Sequence, residues 1–132
     1  MEIVITDWAL DSYLDLKGSR VFTTDEYWRI LRPDIELLRQ YPDAANFRLP
    51  RFWGPATKRE GGTIQHGYKM KWHNFGSGRV QLRLCVAVLA DTAFLCQGFV
   101  KDSEIADYAE CLVLQQRIDF IQKWKYVEKG RL

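Results

Sequence analysis

The sequence predicts an α+β fold: an antiparallel β-sheet of about four strands in the order β-α-α-β-β-β-α, with its helices packed on one face. Three observations lead to this. Between Gly67 and Lys101 three strand-like runs, GYKMKWHN, RVQLRLCVAVL and AFLCQGFVK, are separated by the turn-forming stretches FGSG and ADT. A β-branched run, Glu2-Ile-Val-Ile-Thr6, precedes two segments whose apolar residues recur at helical spacing. A chain of 132 residues, 47% of them hydrophobic, fits one compact domain over residues 1–132 with its own core.

The elements follow in order. After the first strand, Trp8, Leu10, Tyr13, Leu14 and Leu16 suit a helix that Lys17-Gly18-Ser19 ends. Thr23 and Glu26 have the spacing of a capping box, and Trp28, Leu31, Ile35 and Leu38 continue at helical spacing. Pro33 either kinks that helix or opens a second short one ending near Tyr41-Pro42, because proline fits only a first turn. Pro42 to Gly62, with Pro50, Pro55, Gly54, Gly61 and Gly62, reads as a long basic loop pinned to the body by Phe47, Phe52 and Trp53. Beyond Lys101, Asp102 or Ser103 caps a last helix with Glu104 and Asp107 in its first turns, and Ile105, Tyr108, Leu112, Leu114, Ile118 and Ile121 form its apolar side. The basic tail from Lys123 to Leu132 reads as a frayed end.

Composition narrows the function classes. No window approaches the roughly 20 apolar residues of a bilayer span, and the first residues lack the regions of a signal peptide, so the expectation is a cytoplasmic protein with no membrane partner. Cys85, Cys96 and Cys111 form no CxxC pair and lie in apolar runs, which predicts buried free thiols. His66 and His73 have no carboxylate or cysteine partners at ligand spacing, so neither a metal nor another cofactor is expected. The net charge is only +2, so the placement of the charges matters more than their sum.

Strand parity places them. With Gly76-Ser77-Gly78 as a three-residue hairpin loop, Phe75 faces Arg79, His73 faces Gln81, Lys71 faces Arg83 and Lys69 faces Cys85. A second hairpin closed through Ala90-Asp91-Thr92 sets Gln97 opposite Cys85, Phe99 opposite Arg83 and Lys101 opposite Gln81. One sheet face then collects Lys69, Lys71, His73, Arg79, Gln81, Arg83, Gln97, Phe99 and Lys101, while Tyr68, Met70, Trp72, Leu82, Leu84 and Val86 form the apolar face. Lysine opposite arginine is unfavourable on a bare sheet and calls for an anion. Phe99 amid the cations offers a stacking platform for a base beside phosphate-binding charges, a combination suited to RNA.

Tyr-Lys-x-Lys at Tyr68 to Lys71, a glycine turn, Arg83-Leu84 leading into an apolar strand, and Gly98-Phe99-Val100-Lys101 together resemble the RelE/ParE toxin superfamily, most closely its HigB branch. The resemblance spans Gly67 to about Ile118 in detail. It implies the toxin of a type II toxin-antitoxin system that cleaves messenger RNA on the ribosome and is neutralised by a cognate antitoxin. Lys69 and Lys71 match the family's paired lysines, Arg83 its strand arginine, Lys101 the basic residue ending the last strand, and Tyr108 falls near its C-terminal tyrosine. The implied reaction is attack of a ribose 2′-oxygen on the adjacent phosphate. It needs a base, cations for the developing charge and an acid. Lys71 or His73 would be the base, Arg83 and Lys69 the charge stabilisers, and His73, Lys101 or Tyr108 the acid. Arg79, Gln81, Gln97 and Phe99 would contact the RNA. ParE-like members instead act on DNA gyrase without cleaving RNA, so the fold leaves open a non-catalytic inhibitor or nucleic-acid binder.

Overall fold

The computed structural model describes residues 1–132 as an α+β domain built on one open, mixed, six-stranded sheet. In chain order the elements are β1 (Glu2–Thr6), α1 (Asp7–Gly18), α2 (Thr24–Glu26), a π-helical turn (Tyr27–Leu31), α3 (Arg32–Glu36), β2 (Trp53–Thr57), β3 (Thr63–Phe75), β4 (Val80–Leu89), β5 (Thr92–Val100), α4 (Glu104–Gln122) and β6 (Glu128–Arg131). The strand order across the sheet is β2-β3-β4-β5-β1-β6. No helix is long and apolar enough to cross a membrane.

Five expectations need correction. The sheet is not purely antiparallel, because β1 runs parallel to β5, pairing Ile3 with Ala93 and Val4 with Phe94. It has six strands rather than about four. The stretch from Pro42 to Gly62 is not all loop: after a 3₁₀ turn at Ala45–Arg48 it supplies the edge strand β2, which pairs with β3. Pro55 is tolerated there because an edge strand needs no donor on its outer side. The tail is not frayed either, since β6 adds antiparallel to β1 and Arg131 bridges Glu2 at 2.8 Å.

The fifth correction decides the site. Helices cover both faces, not one. On one face α1 and the α2–α3 run bury Ile3, Phe22, Leu31, Leu38, Met70, Trp72, Leu82 and Val86. On the other, α4 buries Cys111, Leu114, Ile118 and Ile121 against Val4, Cys85, Ala87, Cys96 and Phe99. The buried stripe of α4 is thus Asp107, Cys111, Leu114, Ile118 and Ile121, whereas the expected Ile105 and Leu112 face solvent. All three thiols are buried and free, and burial pushes Cys96 up to about 12.

Local signals hold the helices as expected. Thr6 caps α1 by accepting from Ala9 N and donates to Leu95 O at 2.7 Å, which ties helix, β1 and β5 together. The Thr23–Glu26 capping box is present. Pro33 lies in the first turn of α3, just after the π-helical turn. Trp72 Nε1 donates to Asp34 Oδ2 at 2.8 Å, anchoring α3 to β3.

The registers at the site match the parity argument, although both hairpin loops have a different length. The first turn is the four residues Gly76–Arg79, so Phe75 pairs with Val80 instead of Arg79. A bulge at Asn74, left-handed at φ 49, absorbs the extra residue and restores Lys71 opposite Arg83 and Lys69 opposite Cys85. The second turn is the two residues Ala90-Asp91, and a bulge at Cys96 again restores Gln97 opposite Cys85 and Phe99 opposite Arg83.

Candidate functional site

The predicted cationic face exists, but α4 divides it. Beneath the helix, Lys69 donates to Asp107 Oδ2 at 2.7 Å, with side-chain exposures of 8% and 3%. Gln97 is buried as well, donating to Glu110 O at 3.0 Å and accepting from Arg117 Nη1 at 3.1 Å. Phe99 belongs to the core under α4 and is no open stacking platform. Tyr108 points toward a shallow pocket with Thr57, Lys58, Ile64 and Leu112, on the side of α4 facing the β2–β3 hairpin. Arg79 is exposed in the turn, left-handed at φ 49.

What remains accessible lies where β3, β4 and β5 emerge from under the N-terminus of α4. Lys71 is half-buried. Arg83, opposite it, is itself buried, 6% exposed, and donates Nη1 to Trp72 O at 3.2 Å and Leu82 O at 3.1 Å, so that backbone carbonyls hold it along the strands just behind Lys71. Lys101 follows β5 and pairs with Glu104 at 2.9 Å. Four cations, Lys69, Lys71, Arg83 and Lys101, thus face two carboxylates, Glu104 and Asp107. Lys71 and Arg83 are the pair without a carboxylate ion-pair partner. Burial, then Lys69, Arg83 and Lys101, lowers the affinity of Lys71 for its proton, and Asp107 only partly opposes this. Burial likewise lowers Arg83, against the pull of Asp107 and Glu104.

The segment before β2 closes over this end of the sheet. Lys71 Nζ donates to Pro50 O at 2.9 Å, His73 Nε2 donates to Arg51 O at 2.6 Å, and Lys71 N donates to Phe52 O at 2.8 Å. Because a carbonyl only accepts, Nε2 of His73 carries a proton. Its Nδ1 meets the Gln81 side chain at 3.0 Å, and Gln81 reaches Asn74. Both ring nitrogens are therefore occupied. His73 straps the loop to β3 instead of standing free as a base.

Of the ten residues selected from sequence, Lys71, His73, Gln81 and Lys101 converge at the open end, with Arg83 buried directly behind Lys71. Lys69, Gln97 and Phe99 lie on the same face but inside the core, and Arg79 and Tyr108 stand apart. Sequence reasoning gave Asp107 and Glu104 only a helix-capping place, not their ion pairs at the site, and missed the carbonyls of Pro50 and Arg51. Asp107 carried a usable signal: it shares the i, i+4, i+7 stripe of Cys111 and Leu114, and an acid on a buried stripe needs a cation.

Fold and site together define a class: a small α+β domain whose mixed sheet is covered on both faces and sets a half-buried lysine against a buried arginine toward one end of its three longest strands. No protein-family model matches the chain, and no curated protein or solved structure shows significant similarity to it.

Proposed function

We propose that the Lys71–Arg83 end of the sheet binds the phosphodiester backbone of RNA and cleaves it, as in the RelE/ParE-like toxins that the strand motifs resemble. The observation that carries this reading is the register of Lys71 opposite Arg83, two cations without a carboxylate partner, beside Lys101 and the positive end of the α4 dipole. A phosphate relieves that repulsion. The lowered proton affinity of Lys71 suits a general base.

In this reading neutral Lys71 Nζ takes the proton of a ribose 2′-hydroxyl. The 2′-oxygen attacks phosphorus, the bond to the 5′-oxygen breaks, and the Lys101 ammonium protonates that leaving oxygen. Arg83 stabilises the charge on the non-bridging oxygens. The products are a 2′,3′-cyclic phosphate and a 5′-hydroxyl. Lys69 acts from beneath through its charge, lowering Lys71, rather than by touching RNA. The reading also implies messenger RNA on the ribosome as substrate and a neutralising antitoxin as partner.

A second reading, RNA binding without cleavage, is favoured by one observation: both nitrogens of His73 and one proton of Lys71 are engaged by the chain itself. Incubating purified protein with a labelled messenger RNA, alone and with ribosomes, separates the two. Cleavage requires fragments with 5′-hydroxyl ends that disappear in Lys71→Ala and Arg83→Ala. Retarded but intact RNA supports binding alone, and RNA neither bound nor cut defeats both.

A further inference from the structure

At its C-terminal end α4 closes with a Schellman motif: Trp124 N donates to Ile121 O at 3.0 Å and Lys125 N to Phe120 O at 2.8 Å. The residue at the left-handed position of such a motif is usually glycine, because a Cβ is penalised there. Here it is Trp124, at φ 58 and 83% exposed. Two unfavourable choices coincide, a bulky residue in left-handed backbone and a large apolar ring in water. Arg20 occupies the equivalent place after α1, where a long charged side chain suits solvent. Neither fold nor core accounts for the indole.

Its surroundings specify a ligand. Phe120 and Val127 are also exposed, Trp8 packs on Phe120 at 6.3 Å between centroids, and Arg117 lies over the Trp8 ring at 5.1 Å. From Lys123 to Leu132 the chain carries Lys123, Lys125, Lys129 and Arg131; Lys123 pairs with Asp119 at 2.9 Å and Arg131 with Glu2 and Glu128, which leaves Lys125 and Lys129 without an ion-pair partner. An open ring next to Lys125 matches the requirement of single-stranded nucleic acid, a stacking face beside charges for the backbone. The same lysines disfavour a second copy of this chain, since an isologous contact would set them against each other.

We propose that Trp124 is a stacking anchor for single-stranded RNA, a second contact about 28 Å from the Lys71–Arg83 end, the length of α4 at 1.5 Å per residue. This rests on the RNA reading above and gives it a path: one strand runs between the Lys71–Arg83 end and the tail along α4.

The test is fluorescence anisotropy of two labelled oligouridines, one short enough for a single site and one long enough to span both. Trp124→Ala weakens the long oligomer about tenfold and leaves the short one unchanged. Trp124→Tyr retains most of the affinity, because a phenol ring also stacks. Trp124→Gly weakens the long oligomer as the alanine does while raising the thermal midpoint, which separates the role from a structural one. Wild-type affinity of Trp124→Ala for the long oligomer overturns the proposal, as does Trp124-dependent binding to anionic vesicles with no effect on RNA. Arg83→Ala tests the other site separately: it weakens both oligomers. If only Arg83→Ala has no effect, the Lys71–Arg83 reading falls and the Trp124 anchor stands.

Discussion

At the residue scale, the buried Lys69–Asp107 ion pair and the like-charged pair of half-buried Lys71 and buried Arg83 obey different rules. Removing one member of a buried ion pair strands the other charge, so Asp107→Ala is expected to cost about 3–5 kcal/mol in chemical denaturation. The double substitution Lys69→Met with Asp107→Leu recovers most of that loss, because no charge is left unpaired. Arg83 is buried and bonded to two backbone carbonyls, so Arg83→Ala costs stability as well as function; in the folded variant cleavage is expected to fall about 100- to 1,000-fold, the usual cost of one donor to developing charge. The pH dependence follows from Lys71. Its folded proton affinity is below the ordinary lysine value, so the ammonium destabilises the fold below its folded pKa, and that cost fades as pH rises through it. Cleavage therefore rises with pH as Lys71 deprotonates. In Arg83→Gln, which removes one repelling charge, the rising limb of the pH–rate profile shifts to higher pH. The Lys71–Arg83 opposition was legible from parity alone. The burial of Phe99 was not, because a cation-flanked aromatic on a strand looks the same in sequence whether a helix or water lies above it.

At the scale of elements, the sheet tolerated two errors in loop length because each turn is offset by a bulge. Asn74 and Cys96 carry no strong sequence mark of that role, since a bulge depends on the partner strand as well as on its own. The edge strands β2 and β6 were missed for related reasons. β2 contains Gly54 and Pro55, which ordinarily count against a strand, and β6 is four charged or small residues sheltered only by β1. The β3–β4 turn has a requirement of its own. Gly76 is at φ 73, and a Cβ there would lie 2.5 Å from Val21 O in the link before α2. Gly76→Ala combines left-handed strain with a backbone clash, so a loss of about 1–3 kcal/mol is expected. Gly78→Ala, whose nearest neighbour would be a Val80 methyl at 3.5 Å, has a far smaller effect. Comparing the two denaturation midpoints checks the claim.

At the scale of the whole molecule, α4 converts a broad cationic face into a narrow one. The strand meander predicted both the scaffold and the charged face, but the helix that closes the chain was assigned to the wrong side. Its stripe was read through Ile105, Tyr108 and Leu112, when Asp107 and Cys111 belong to the buried set. Hydrophobicity alone could not make that choice, since the helix is apolar on more than one side and Asp107 is buried through Lys69. The proposed RNA contact is correspondingly compact, and its salt dependence would count its phosphates: replacing Arg83 is predicted to reduce the slope of log affinity against log salt by about 0.7, one single-strand phosphate. The central claim is that the Lys71–Arg83 pair cuts RNA, and the most direct test is to map transcript 5′ ends in cells after induction of the wild-type chain and of Lys71→Ala at equal abundance. The account predicts new 5′-hydroxyl ends with the wild type that vanish in the variant; the same ends in both, or growth arrest by the wild type with none, would contradict it.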